Sequence, residues 1–323
     1  MVFTLTNTIG KYAKNPPGGG IIVNWVAVGG GTKQIATSAD GTTWTGVTAN
    51  GNFDSGYGVA YGNGMWVAVG NGTKKIGTST DGITWTGRNT TNNNTNTKIL
   101  GVAYGNGLWV IVGAQMYGTI ATSTDAITWT EQPANGGLDG TAYAVAYANG
   151  LWVAVGIGSK NIATSPDGIT WTGISANGGI NTRVYAVTYA NNLWVAVGTG
   201  SNTIATSSNN GTSWTGVTAN GGLNSEGWGV AYGNGLWVAV GYAVGGNTIA
   251  TSSDNGVTWS GISANGGLST YGLGVTYANG RWVAVGQGTN KIVTSTNGTS
   301  WAGVTSNGGI DAIARGVAFK PSI

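Results

Sequence analysis

Tryptophan recurs along this chain in two interleaved series, and that recurrence restricts the fold more than any other feature. One series, each member opening a small apolar run that ends in glycine, falls at Trp25, Trp66, Trp109, Trp152, Trp194, Trp237 and Trp282, with gaps of 41, 43, 43, 42, 43 and 45 residues. The other closes a Ser/Thr-rich turn at Trp44, Trp85, Trp129, Trp171, Trp214, Trp259 and Trp301. Together they account for fourteen of the fifteen tryptophans, and Trp228 stands outside both. A repeat in the low forties with four short apolar segments has the size of a propeller blade rather than a helical solenoid unit.

Local chemistry assigns the four segments. The first is Gly-Val-Ala-Tyr at 58–61, 101–104 and 229–232, with close variants at 144–147, 186–189 and 274–277. Asn63, Asn106, Asn149, Asn191, Asn234 or Asn279 follows, usually before glycine. That pair accepts the positive φ a tight hairpin demands. The second segment, Leu-Trp-Val-Ala-Val or close to it, is apolar on both faces, as suits a strand between two neighbouring sheets. The third reads like Ile-Ala-Thr-Ser and the fourth like Thr-Trp-Thr-Gly.

The two ends of the chain complement each other. The first unit starts at its second segment, in residues 21–29, and lacks a first one; residues 316–319, Gly-Val-Ala-Phe, supply it at the other end. The sequence therefore predicts an all-β fold: a seven-bladed β-propeller of four-stranded antiparallel blades, with the C-terminal strand completing the N-terminal blade so that no blade is left incomplete. Residues 21–323 form that single propeller, and residues 1–20, with a Pro-Pro-Gly-Gly-Gly run at 16–20, read as an N-terminal arm or linker.

Composition narrows the chemistry. Histidine and cysteine are both absent. The usual general base near neutral pH, the commonest transition-metal ligands, thiolate chemistry and the Ser-His-Asp triad are thereby removed. No cofactor or metal site is expected. The net charge of +3 is small and no basic block points to nucleic acid. The N-terminal residues lack the pattern of a secretory leader, and no apolar run has the length of a membrane span. The chain reads as a soluble monomer whose compartment the sequence leaves open.

The turn between the third and fourth segments repeats as Ser38-Ala39-Asp40-Gly41-Thr42-Thr43-Trp44 and, in a longer form, as Ser252-Ser253-Asp254-Asn255-Gly256-Val257-Thr258-Trp259. This resembles the Asp-box, or BNR, repeat of sialidase-like propellers. The longer copy matches that pattern fully, and the shorter ones lack one residue between Asp and Gly. The resemblance implies that Asp40, Asp81, Asp125, Asp167, Asn209, Asp254 and Asn297 are structural turn residues lying away from the active face. A carboxylate that accepts backbone N–H groups of its own turn performs that role, and Asn can perform part of it. The resemblance also brings sialidase activity to mind, which the residues oppose: arginine is limited to Arg88, Arg183, Arg281 and Arg315, and glutamate to Glu131 and Glu226. The chain reads as no enzyme.

The opposite face is where a ligand is expected. Its inter-blade connections repeat an Asn-Gly pair at Asn50, Asn135, Asn177, Asn220, Asn265 and Asn307, which could form near-equivalent polar pockets or simply make turns. A ring just before the inner strands, Tyr57, Tyr143, Tyr185 and Trp228 with Leu100, Leu273 and Arg315, should lie near the mouth of the central channel. Lys33, Lys74, Lys75, Lys160, Lys291, Arg88, Lys98, Arg183 and Arg315 outnumber Asp54, Glu131, Asp139, Glu226 and Asp311 there, a modest pointer to an anionic partner. The expected function is a non-catalytic recognition module, a multivalent lectin-like glycan binder or a protein binder. A scaffold propeller without a small-molecule site is the alternative, and a glycosidase the third.

Overall fold

The computed structural model describes residues 23–48, 50–90, 98–114, 120–132, 136–242 and 244–321. The expected N-terminal arm, residues 1–20, lies outside them. The described residues contain 28 strands and no helix. The strands form seven four-stranded antiparallel blades, in six of which the strands are paired in sequence order, while the first blade takes its inner strand from the far end of the chain. Blades 3 and 4 are additionally joined through one residue pair, Ala114 and Thr141.

Blade 2 shows why the sequence folds this way. Its inner strand is Phe53–Gly62, its second Met65–Gly72, its third Ile76–Ser79 and its outer strand Thr86–Arg88. Asn63 and Gly64 join the first two with φ of 47° and 76°, the doubly positive geometry of a tight mirror-image turn. In blade 5 the same corner is made by Asn191 and Asn192, at 48° and 60°; asparagine tolerates this region better than other side-chain-bearing residues.

Trp66, Val67, Ala68 and Val69 of the second strand are fully buried. Successive side chains point to opposite faces, so each neighbouring blade receives alternate residues. Trp66 also meets the Tyr61 ring edge-on at 4.9 Å. Close blade-to-blade approach requires a glycine at Gly62, where an added Cβ would lie 2.4 Å from the Tyr104 ring of the next blade.

Ring closure is as expected. Trp25–Gly30, the second strand of blade 1, pairs with Ile313–Phe319, the inner strand at the far end of the chain. Trp25 lies opposite Phe319, Val26 opposite Ala318, Ala27 opposite Val317 and Val28 opposite Gly316. Beyond the pairing, Lys320 Nζ sits 5.2 Å from the centre of the Tyr61 ring in blade 2. The inner strands are longer than the Gly-Val-Ala-Tyr segments alone indicate, because each begins several residues earlier and is interrupted at a corresponding position.

Candidate functional site: the mouth of the central channel

That interruption builds the site. At one corresponding position every inner strand slips its register against the second strand by one residue, and the residue skipped there is Tyr57, Leu100, Tyr143, Tyr185, Trp228, Leu273 or Arg315; the inner strand of blade 2 slips a second time, at Asp54. A bulge of this kind leaves its extra residue out of the ladder and re-aims it. Here all seven bulge residues line one cavity of about 440 Å³, together with Glu226, Tyr242, Tyr271, Gln287 and Ile313. The bulges lie near the start of the inner strands, so the cavity opens on the face opposite the corner aspartates.

One side of the cavity is an aromatic arc. Tyr185 and Trp228 stack at 4.1 Å with planes 9° apart, and Tyr143 leans on Tyr185 at 4.9 Å. Tyr242 and Tyr271 form a further tilted pair at 5.0 Å. Burial pushes the Tyr143 and Tyr185 phenols up from their ordinary value, and in Tyr185 it outweighs the hydrogen bond from Arg183. Both therefore stay neutral near pH 7.

The other side carries charge. The Arg315 guanidinium lies 4.9 Å from the centre of the Tyr57 ring and donates a hydrogen bond to Ser55 Oγ. Burial pulls its pKa below the usual arginine range, opposed only by Tyr57. Among the described residues Glu226 is the one carboxylate on the cavity wall. Its charge acts on Tyr143, Tyr185 and Arg183.

The repeated asparagines sit elsewhere. None of the described ones lines the cavity. Asn220 Oδ1 accepts the Gly222 N–H at 3.1 Å, while Nδ2 donates to Thr203 Oγ1 and to the Leu223 carbonyl, both at 3.2 Å. Asn265 makes the corresponding three bonds with Gly267, Thr248 and Leu268. Asn50 does so with Asn52, Gln34 and Phe53. Asn177 and Asn307 accept from Gly179 and Gly309. Asn135 lies outside the described residues.

Three residues after each asparagine the chain buries an apolar side chain: Phe53, Leu138, Ile180, Leu223, Leu268 and Ile310. The connection also pairs with the next blade's outer edge, as where the Trp259 N–H donates to the Ala219 carbonyl at 2.9 Å. These loops staple blade to blade.

The corner residues also turn inward on their own backbone. Asp40 Oδ1 accepts the N–H groups of Thr42 and Thr43 and the Ser38 hydroxyl, and Oδ2 accepts the Thr42 hydroxyl. Partial burial works to raise the Asp40 pKa, but those hydrogen bonds prevail and hold it well below the carboxylate range. Asp81, Asp125, Asp167 and Asp254 are lowered in the same way. Asn297 Oδ1 accepts from Thr299 and Ser300, and Asn209 Oδ1 from Ser213 and Ser207. Of the other acids, Asp139 receives the Ser159 N–H and Asp311 the N–H and hydroxyl of Thr32, each at 2.8 Å. Among the described residues no group of three or more acidic side chains is placed to hold a metal ion.

Sequence reasoning located all seven bulge residues and put Glu226 on the same face, but missed the rest of the second tier of the wall. Tyr242 and Gln287 end second strands, while Glu226, Tyr271 and Ile313 start inner ones. Only the sheet geometry brings these ends to the mouth. The signal that existed was the variation itself: at the bulge position near-identical blades carry Tyr, Leu, Trp or Arg, beside neighbours that barely change.

No family model and no curated protein matches this chain. Solved structures do. YCF48 bound to a D1 peptide is 18% identical, with 80% of this chain and 84% of that one covered and a TM-score of 0.58. YCF48 from Cyanidioschyzon merolae is 14% identical, with coverage of 84% and 96% and a TM-score of 0.56. A protein from Lactobacillus plantarum is 16% identical, with coverage of 93% and 100% and a TM-score of 0.67. The likeness places this chain among the β-propellers. At such identities it concerns the fold alone.

Proposed function

We propose that the chain is a non-catalytic recognition propeller of the Asp-box kind, which takes a segment of a protein partner at the mouth of its central channel. The observation that carries this reading is the coincidence of variation with position. Blades that repeat almost residue for residue diverge at their bulges, and those residues line an aromatic cavity of about 440 Å³. A volume of that order suits a few side chains or a small ligand. One of the similar propellers, YCF48, was solved bound to a peptide, which supports a protein segment over a glycan. The engagement of the repeated asparagines within their own loops supports the mouth over the periphery. The lone carboxylate on the described wall and the absence of histidine and cysteine support recognition rather than catalysis.

Selection from a displayed random-peptide library, run beside a glycan array, tests this. The expected result is peptides enriched by the natural chain and lost with Tyr185→Ala/Trp228→Ala. Glycan capture without peptide enrichment, or peptides held equally by that variant, would contradict it.

A further inference from the structure

Among the described residues the cavity has one cation on its wall, Arg315, and no carboxylate beside it. Arg315 is half-buried, and its partners are the Ser55 hydroxyl and the Tyr57 ring. Among the described residues no carboxylate pairs with it, and Glu226 acts on the other side of the mouth, on Arg183 and the two tyrosines beside it. A guanidinium carries several N–H donors, and one hydrogen bond to a hydroxyl leaves most of them to solvent or a ligand. Withdrawing a charge from water is costly unless an opposite charge replaces the lost hydration. Six of the seven bulge positions carry uncharged aromatic or leucine side chains, so the seventh is not a solvated face of the usual kind.

We infer that the channel mouth recognises a carboxylate borne on an aromatic body, with Arg315 holding the carboxylate and the arc of Tyr143, Tyr185 and Trp228 taking the ring. This rests on the channel-mouth reading above and adds the ligand's chemistry to it. The planar fork of arginine matches a carboxylate in two parallel hydrogen bonds, which a lysine cannot reproduce. The Tyr57 face behind the guanidinium helps hold it flat. The Tyr185–Trp228 stack presents a broad π surface for an offset ring. Such a group occurs at the end of a polypeptide whose last residue is aromatic and in free aromatic acids, and the two sources present the same chemistry.

Calorimetric titration of the full chain tests the inference with matched probes: N-acetyltryptophan and its amide, which differ only in the charge, indoleacetate as a free acid, and a short peptide ending in tryptophan with a free or amidated terminus. The acids should bind at least about tenfold more tightly than their amides, the size of one charge-assisted contact. Arg315→Gln should erase that preference while leaving amide binding intact, and Arg315→Lys should retain only part of it. Arg281→Gln, which removes an equal charge from the opposite face, should leave the preference unchanged. Because Arg315 lies on the closing strand, each variant's melting temperature is measured alongside, and the Lys variant keeps the test decisive if the Gln variant unfolds.

A free peptide that outbinds indoleacetate assigns the site to a chain end, and the reverse order assigns it to a free acid. Equal binding of acid and amide, no binding of either, or a preference that survives Arg315→Gln would overturn the inference. Peptides held at the mouth regardless of their terminus overturn it while leaving the protein-binding reading in place. Acid-selective binding of N-acetyltryptophan with no displayed peptide enriched does the opposite.

Discussion

Trp25 and Phe319, which stand at opposite ends of the sequence, are directly paired across the seam of the ring, with their rings edge to face at 4.8 Å. Both are buried. The last strand covers the inner edge of the first blade, and opening the seam exposes that edge. Phe319→Ala should cost about 3 kcal/mol, at the lower end for a buried aromatic truncation. Deleting residues 315–323 should cause aggregation or a sharp fall in melting temperature. Thermal unfolding followed by circular dichroism reads both, and an unchanged melt after the deletion would argue against closure.

Tryptophans of the two series and Trp228 should respond oppositely to truncation. Trp152 is 1% exposed between blades, so Trp152→Ala should lose about 3–5 kcal/mol. Trp228 lines the open mouth, and Trp228→Ala should leave the denaturant midpoint close to that of the natural chain while weakening ligand binding.

Asn220 illustrates a loop whose side chain serves the fold. Asn220→Ala removes the acceptor of the Gly222 N–H and one of the two donors to the Leu223 carbonyl, which keeps the Thr203 hydroxyl, and a part-buried backbone donor left without its partner costs about 1–3 kcal/mol. Chemical denaturation should show that loss with unaltered binding at the mouth. Diminished binding at full stability would return the repeated loops to consideration as sites.

Acid should loosen the corners before anything else. Asp125 is held at about 2 by the backbone N–H groups of Thr128 and Ile127, and Asp254 at about 2 by the hydroxyl and N–H of Thr258, against an ordinary value of 3.8. A carboxylate whose folded pKa is depressed stabilises the fold above its ordinary value, and the contribution disappears as pH falls through the folded value. The melting temperature should therefore decline between about pH 4 and pH 2. Asp254→Asn, which copies the natural Asn209 and Asn297, should lower the melt at pH 7 and converge on the unmodified chain near pH 2. A constant gap across that range would show that the charge is immaterial.

The blade count, the hairpin corners and the seam were legible in the sequence because each depends on a short run of residues. Asn63-Gly64 specifies its turn, and the tail supplies the strand the head lacks. The bulges were not legible as bulges: a one-residue slip at Tyr57 or Trp228 is a relation between two strands, visible only once the ladder is drawn. The same holds for Asn220, whose partner Thr203 lies seventeen residues back on another loop. The repeated apolar residue three places after each asparagine, Leu223 or Ile310 among them, was a readable anchor. It indicates that these connections pack inward.

The central claim is that binding occurs at the ring of bulges, and Trp228 offers a direct probe of it. The chain has fifteen tryptophans, and among the described residues Trp228 alone lines the cavity. Nuclear magnetic resonance of the isotope-labelled indole N–H groups, with the Trp228 signal identified by its loss in Trp228→Phe, follows every one of them during titration with N-acetyltryptophan or a selected peptide. The account predicts that the Trp228 signal moves while those of Trp44, Trp85, Trp171 and the other corner tryptophans stay in place. Movement among the corner tryptophans with Trp228 unaffected would contradict it.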